Sequence, residues 1–544
     1  MSGCTAVARP SMATLEASSR FSNLLEAEAQ EWLEEETRRT AEYLSFLRGL
    51  RNSLAPIHRL PAELLASIFT EATLGEHLKP FDLVVQMSHV CRHWREVLLE
   101  MSTAWSDIDV SCIDRARTFV ERSNVPGLKL RWNTPSNNSE QTTVPQILDV
   151  IISHLSRFTE IRADLNWDNI KALLDLLSTH NAPALRHLGL KLSWHHRQIG
   201  MGCKPTPCTA SLQLHSLSLC GFAIDWNSPM YSGLKRLELD DQCNFHAVPS
   251  VEFLDILERC PDLVHLQVKF SGSTFRVRNT DATTYLAPRR TVELKKCNYF
   301  SLDSFESQDC AYVLAHLCLP ESTRIHLQKT CRRVTHNEFQ QILPKDSAHV
   351  NALQAARQLS LSCLPYSDCC MRAMDDSGDS ILTIHLQDII ERVANVKPAL
   401  EILVDAAAIF ANVPIEEFSY SSVTMDIAQP DEWLDIFRSF PDVKTLHFTC
   451  VRTEYGYNGR INDLLSGLIL CTRNTPPILP ALSTINFEEV DIHDRTIELF
   501  QQLVTSRIEI GFQHNYLEFI GCHCHSPTCT LDEFLDTLEE LGRC

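Results

Sequence analysis

No stretch of about eighteen consecutive apolar residues occurs in this chain, which excludes a conventional membrane-spanning helix. Met1 to Arg20 contains no apolar run of the kind a secretory signal needs. Glycine is scarce, at 17 residues, and proline modest, at 25, so collagen-like repeats and Pro/Gly-driven disorder are excluded. Basic residues are the minority, 49 Lys and Arg against 69 Asp and Glu. That balance repels phosphate backbones and anionic lipid surfaces, and no run of five basic residues interleaved with aromatics offsets it. A Gly-rich phosphate loop, a Gly-x-Ser-x-Gly elbow and a His-Glu-x-x-His pair are all missing. Together these absences predict an intracellular protein, cytoplasmic or nuclear. It is expected to be non-enzymatic, without cofactor, and to bind neither nucleic acid nor membrane.

What is present is material for folded cores: 44% hydrophobic and 22% charged residues over 544 positions. That length is several times the usual core-forming unit, so more than one unit, or a repeat array, is expected. The 21 cysteines are scattered through apolar segments such as Leu359 to Leu364, as reduced and buried thiols are. No disulfide framework is expected in a reducing compartment, and the sequon at Asn137, Asn138 and Ser139 then carries no weight.

Residues 1–14 are expected to be disordered. Residues 15–54 are rich in Glu, Ala, Leu and Arg and lack proline, which favours one long helix. Leu33, Glu36, Thr40, Tyr43, Leu47, Leu50 and Leu54 fall on alternating three- and four-residue steps, the seam of a short coiled coil. Two of the seven are polar and the seam is short, so a solvated helix resting on the neighbouring domain is preferred to a self-pairing coil.

Pro61 then suits the first turn of a new helix, because its missing N–H is not needed there. Leu64, Leu65, Ile68 and Phe69 build a strongly apolar face behind it. A second helix is predicted from Phe81, with Leu83, Val84, Met87, Val90, Cys91, Trp94, Val97 and Leu98 at helical spacing. This is more apolar surface than two short helices can bury, so a partner must cover part of it.

The run Leu60-Pro61-x-Glu63-Leu64-Leu65-x-x-Ile68-Phe69, followed by Val90-Cys91-Arg92-x-Trp94-Arg95 and then Trp105, resembles an F-box over residues 55–108. It is particularly similar to the F-box-like, leucine-rich-repeat proteins of mushroom-forming fungi. The resemblance implies a three-helix module bound to a Skp-family adaptor and, through it, to a cullin–RING ubiquitin ligase. On that pattern Leu60, Pro61, Leu64, Leu65, Ile68, Val90, Cys91 and Trp94 form the adaptor-binding set, with Val90, Cys91 and Trp94 shared between surface and core.

Beyond residue 109 the pattern becomes mixed. Pro183–Leu190, Pro261–Val268, Pro441–Phe448 and Pro480–Phe487 share one template: Pro, any residue, apolar, two polar-tolerant positions, then apolar-any-apolar. Proline-less variants run over Leu214–Leu219, Leu234–Leu239 and Arg357–Leu361. Helical stretches at Asn169–Leu177, Val251–Leu257 and Glu432–Phe437 precede the first three templates. Leu185, Leu214, Leu234 and Leu263 are spaced by 29, 20 and 29 residues, within the range of irregular leucine-rich repeats. The predicted fold class is therefore α/β: the long helix and the three-helix module, then over 109–544 a leucine-rich-repeat-like solenoid with a parallel sheet. An ordinary α/β domain remains the rival, because the periodicity fades between 270 and 355.

In the solenoid reading Leu188, Leu266, Leu446 and Ile485 point inward. His187, His265, Thr445 and Thr484 emerge on the open face, where a protein target is expected to dock. Two clusters have metal-ligand composition. His195, His196, Cys203 and Cys208 match no common finger spacing, and alternation along Leu517–Cys524 separates Cys522, His523, Cys524, His525 and Cys529 between two strand faces. Neither is assigned a metal. Asp375-Asp376-Ser377-Gly378-Asp379-Ser380 is read as a solvated acidic loop, one residue short of a phosphorylatable Asp-Ser-Gly motif. The expected role is a substrate receptor of an SCF-type ligase, the alternative a leucine-rich scaffold acting outside one.

Overall fold

The computed structural model describes residues 26–74, 80–124, 126–133, 144–193, 212–240, 248–269, 275–276, 290–303, 305, 307–331, 337–344, 351–364, 368–388, 397–423, 425, 427–452, 460–473, 476–510, 516–526, 530 and 533–538. The expected disordered N-terminus and the His195–Cys208 cluster lie outside these residues. The chain divides into two compact units, Met1–Lys129 and Leu130–Cys544.

In the first unit, α1 (Glu26–Ser53) is followed by α2 (Ala62–Leu74), α3 (Pro80–Ser88) and α4 (Arg92–Glu100). Pro61 sits at the start of α2, where its carbonyl accepts from the amides of Leu64 and Leu65 at 3.1 Å. The single helix predicted from Phe81 is two helices. Cys91 leaves helical geometry, at φ −160° and ψ 171°, and its sulfur accepts from the amide of Trp94 at 3.4 Å, capping α4. The unbroken spacing hid this break, because α3 and α4 both turn apolar residues inward: Val84 and Met87 from one, Val97 and Leu98 from the other. Strand β1 (Asp107–Asp109) and α5 (Ile113–Arg122) extend the unit past the module. Trp105 is fully buried, donates its indole N–H to the Leu98 carbonyl at 2.8 Å, and meets the Phe119 ring edge-on at 4.9 Å.

The second unit is built on one sheet. Its strands are β2 (Leu128–Asn133), β3 (Phe158–Leu165), β4 (His187–Leu192), β5 (Ser216–Cys220), β6 (Arg236–Asp240), β7 (His265–Lys269), β8 (Tyr299–Asp303) and β9 (Arg324–Cys331). They continue as β10 (Gln358–Cys363), β11 (Asp368–Met374), β12 (Ser380–Asp388), β13 (Glu417–Ser422), β14 (Thr445–Cys450), β15 (Thr484–Glu488) and β16 (Tyr516–Ile520). Spatial order follows chain order from β2 to β9, then runs β12, β11, β10, and resumes from β13 to β16. This near-sequential parallel order is that of a solenoid, and it decides against the rival α/β domain.

Register explains why the repeats stack. Leu188 pairs with Ile161 and Leu217, Leu266 with Leu237 and Phe300, and Leu446 with Phe418 and Ile485. Like positions sit side by side, and every one of these residues is buried. Helices cover this apolar face, among them α6 (Val144–His154), α7 (Trp167–Thr179), α8 (Ser250–Glu258), α9 (Ser307–Ala315) and α13 (Asn462–Arg473). The Phe487 ring of β15 meets Phe500 of α14 (Asp494–Glu509) at 5.1 Å, and Trp433 of α12 (Pro430–Arg438) meets Tyr420 and Phe448 at 6.1 Å. The 270–355 stretch, where the template fades, still supplies β8 and β9 in unbroken parallel register.

One strand departs from the parallel rule. β11 pairs antiparallel with both β10 and β12, so a three-stranded meander is inserted as a block and fills the sheet backwards. The acidic segment supplies its second turn: Asp375 accepts from the amides of Ser377 and Asp379 at 2.9 and 3.0 Å, and Gly378 takes the left-handed conformation, φ +79°, that side chains resist. Beside the meander, the short helix α10 (Glu338–Ile342) takes its N-terminal cap from another helix. Asp405 of α11 (Lys397–Ile409) accepts from the Phe339 amide at 2.9 Å and from Gln340 Nε2 at 2.8 Å. Glu338 is held in turn by Lys329 and by Ser307 Oγ, the latter at 2.6 Å. Burial pushes the Asp405 carboxyl up to about 6, against the opposing pull of those donors.

Two outcomes are expected. Replacing Leu446 or Ile485 by Ala should lower stability by about 2–5 kcal/mol through lost burial and the residual cavity. Thr445→Lys, on the alternate face, should change it by about 0.5 kcal/mol or less; urea denaturation compares the three. Because the Asp405 pKa is raised on folding, its contribution is fully present below about pH 4 and lost as pH rises through about 6. Asp405→Asn, which keeps an acceptor for the Phe339 amide, should therefore gain on the parent protein between pH 4.5 and 7.5. A stability difference that is flat over that range would show that the carboxyl ionises normally.

Candidate interaction surfaces

Helix α2 is apolar on two sides. Leu65 and Phe69, one turn apart, are buried at 0% and 2% exposure, and the Phe69 ring rests against Trp94 at 4.9 Å. Leu64 and Ile68, also one turn apart, face outward at 52% and 45%. Val90, in the break between α3 and α4, is 55% exposed, and Pro61 is exposed as well. Leu60, Cys91 and Trp94 are half-buried; the Cys91 sulfur lies 3.7 Å from His58 Nε2. Of the eight residues expected to meet an adaptor, Leu65 is the one fully buried here: it lies 100° around the helix from Leu64 and packs into the module's own core. Leu64 and Leu65 lie 100° apart, and which of the two turns inward depends on packing. Leu99 is exposed and was missed, because its neighbour Leu98 carries the helical spacing.

The second surface is the open face of the sheet. His187, His265, Thr445 and Thr484 all project from it, on strands β4, β7, β14 and β15, and Thr445 stands directly opposite Thr484. His187 is exposed and the two threonines half-exposed. His265 is more constrained: its ring stacks on Tyr299 of the next strand at 4.5 Å, and partial burial lowers its pKa. It contributes to the rigidity of the face as well as to its surface.

This face is overwhelmingly polar and laced across strands. Lys191 bridges to Asp164 at 2.9 Å, Lys269 to Asp303 at 3.0 Å, and Thr449 donates to Glu488 at 2.9 Å. Asn486 Nδ2 and His447 Nδ1 lie 2.9 Å apart. At Gly189 the face sinks into a recess of about 660 Å³, with Arg131, Arg162 and Lys191 towards one end and Glu238 and Asp240 towards the other. The recess was missed in the sequence, although Leu188-Gly189-Leu190 carried its signal: a glycine inside a strand leaves room for close approach. A Cβ added at Gly189 would meet only the Arg162 side chain, at 3.7 Å, so the space above it is open.

Of the C-terminal Cys/His cluster, Cys522 is buried and donates to the Phe487 carbonyl at 3.4 Å, while the exposed His525 pairs with Asp491 at 3.1 Å. Among the described residues no group of three or more His, Cys, Asp or Glu side chains is arranged to hold a metal; Cys529 lies outside them.

Residues 57–111 match the F-box-like family. No curated protein matches the chain significantly. Among solved structures, the chain is similar to the leucine-rich repeat-containing protein LegL7 from Legionella pneumophila, at 12% identity over 78% of this chain and 93% of that one, with a TM-score of 0.21. A superposition so loose carries no argument, and the repeat architecture rests on the register and strand order above.

Filling the recess tests whether it is structurally idle space. Gly189→Gln should leave the thermal midpoint within a few degrees of the parent, since a Cβ there meets only Arg162 Cγ, at an ordinary van der Waals distance. A collapse of stability would show that the glycine is required by the backbone and not by the surface.

Proposed function

We propose that this chain is the substrate-receptor subunit of an SCF-type ubiquitin ligase: the module at 57–111 holds a Skp-family adaptor, and the open face of the repeat sheet holds a protein target. The observation that carries the reading is the two-sided apolar character of α2, within the segment that matches the F-box-like family. Its inner leucine completes the module, and its outer Leu64 and Ile68 are left for another protein to cover. F-box domains generally bind adaptors of that kind.

On this reading the chain contributes binding and geometry, while a conjugating enzyme bound to the RING subunit carries out the transfer. It acts inside the cell, in keeping with buried thiols such as Cys260, Cys297 and Cys471, whose pKa values burial raises. The target is met by polar and charged groups on a rigid sheet, so it is recognised through hydrogen bonds and ion pairs more than through apolar burial.

The test separates docking from folding by sparing Leu65. Leu64→Asp with Ile68→Asp should reduce capture of the purified Skp-family adaptor about a hundredfold or more, since each side chain is worth roughly 1.5–3 kcal/mol when buried. The thermal midpoint should hold. Undiminished capture by a folded double variant would refute the docking claim. Co-purification of a cullin with the parent chain supports the ligase, whereas adaptor without cullin favours the scaffold that acts outside one. Thr445→Lys with His187→Glu should spare adaptor capture and abolish that of the target; an unchanged set of captured proteins would place target recognition elsewhere.

A further inference from the structure

The covered rows of the sheet change character where the inserted meander joins the strands that follow it. Cys363 ends β10, Ser422 ends β13 and Cys450 ends β14, side by side in register, and Cys369 of β11 stands on the other side of Cys363. All four are buried. Two residues back along the same face the row is apolar again: Met371, Leu361, Tyr420 and Phe448.

Cys363 and Cys369 are direct partners across the antiparallel β10–β11 ladder, and neither is in a disulfide. Direct partners in such a ladder hold their Cα atoms about 4.5 or 5.5 Å apart and turn their side chains to one face. A disulfide spans Cα separations of about 4.4–6.8 Å. The register therefore keeps two thiols at bonding range before any oxidant arrives. In the described ladders no other cysteine faces a second one.

The pair is sheltered without being sealed, since Cys363 and Cys369 keep 8% and 6% of their surface. Tyr420 lies beside it. Burial, and then the thiols of Cys363, Cys369 and Cys450, push that phenol well above the ordinary tyrosine range, with Ser422 opposing them. A disulfide is uncharged, which suits so dry a pocket.

We infer that Cys363 and Cys369 are a reversible oxidation site, closing to a cross-strand disulfide with a small-molecule disulfide as the oxidant. One protein sulfur, as thiolate, attacks the small disulfide, forms a mixed disulfide and expels the first small thiol. The second protein sulfur then attacks the first, gives up its proton and releases the second small thiol. The protein thiols lose two electrons and two protons, and the small disulfide takes up both to become two thiols. The new bond ties β10 to β11 beside Ser362 and Cys370, which alternation turns to the open face.

Trypsin cuts after Arg357 and Arg372, so 358–372 is released as one peptide holding Cys363, Cys369 and Cys370. The full chain is equilibrated with glutathione at rising ratios of oxidised to reduced form and quenched with acid. It is then denatured, its remaining thiols are alkylated, and the digest is weighed by mass spectrometry. The peptide should lose two hydrogens and carry one alkyl group, and prior dithiothreitol should restore all three. Fragmentation of the parent peptide, which needs no variant to fold, should place the single alkyl group on Cys370. Cys370→Ser should keep the loss of two hydrogens, and Cys363→Ser and Cys369→Ser should each abolish it. Three alkyl groups at ratios where the exposed Cys318 has already taken up glutathione would overturn the inference. So would a bond that forms only in urea, or one that engages Cys370.

Discussion

The second unit depends on one constraint: strand side chains alternate with a period of two, and a parallel ladder in register sets like positions beside like. Leu188 beside Leu217, Leu237 beside Leu266 and Phe448 beside Phe487 form continuous apolar rows. A one-residue slip at any strand would move its leucines to the polar face and its charges under the helices. Irregular spacing between repeats is tolerated because the connecting segments absorb it, leaving register untouched.

The same alternation makes the open face. Side chains between the buried rows are necessarily aligned too, which is why Lys191 finds Asp164, Lys269 finds Asp303, and the His265 ring lies flat on Tyr299. A continuous polar surface assembled from residues far apart in sequence thus follows from core packing. The inserted meander preserves this logic: β12 continues the parallel register of β9, β10 passes it on to β13, and β11 between them runs the other way without shifting the apolar rows. The helices beside it are tied by a buried carboxyl group, Asp405, which accepts from the Phe339 amide and whose charge burial opposes.

The first unit works by the opposite economy. Where the sheet hides its leucines, the module around α2 has too few elements to do so, and Leu64, Ile68 and Val90 remain outside. Helix α1 repeats the pattern on a longer scale. Exposed apolar residues in such numbers on small helical elements are costly alone and favourable in company.

The Pro-x-apolar templates, read with the helical stretches before them, were sufficient to predict the solenoid, and the Leu-Pro-x-Glu-Leu-Leu run was sufficient to find the module. Both are local patterns whose period is imposed by backbone geometry, so they are written directly into neighbouring residues. The inward placement of Leu188, Leu266, Leu446 and Ile485 followed for the same reason. What tertiary structure alone decided is whatever depends on which surface lies nearby. Leu65 rather than Leu64 turns inward because Phe69 and Trp94 pack on that side of α2. Cys91 interrupts an apolar spacing that reads as continuous, since both helices face one core. The reversed order of β10 to β12 and the recess over Gly189 arise from pairings between strands distant in sequence, and no local period encodes those.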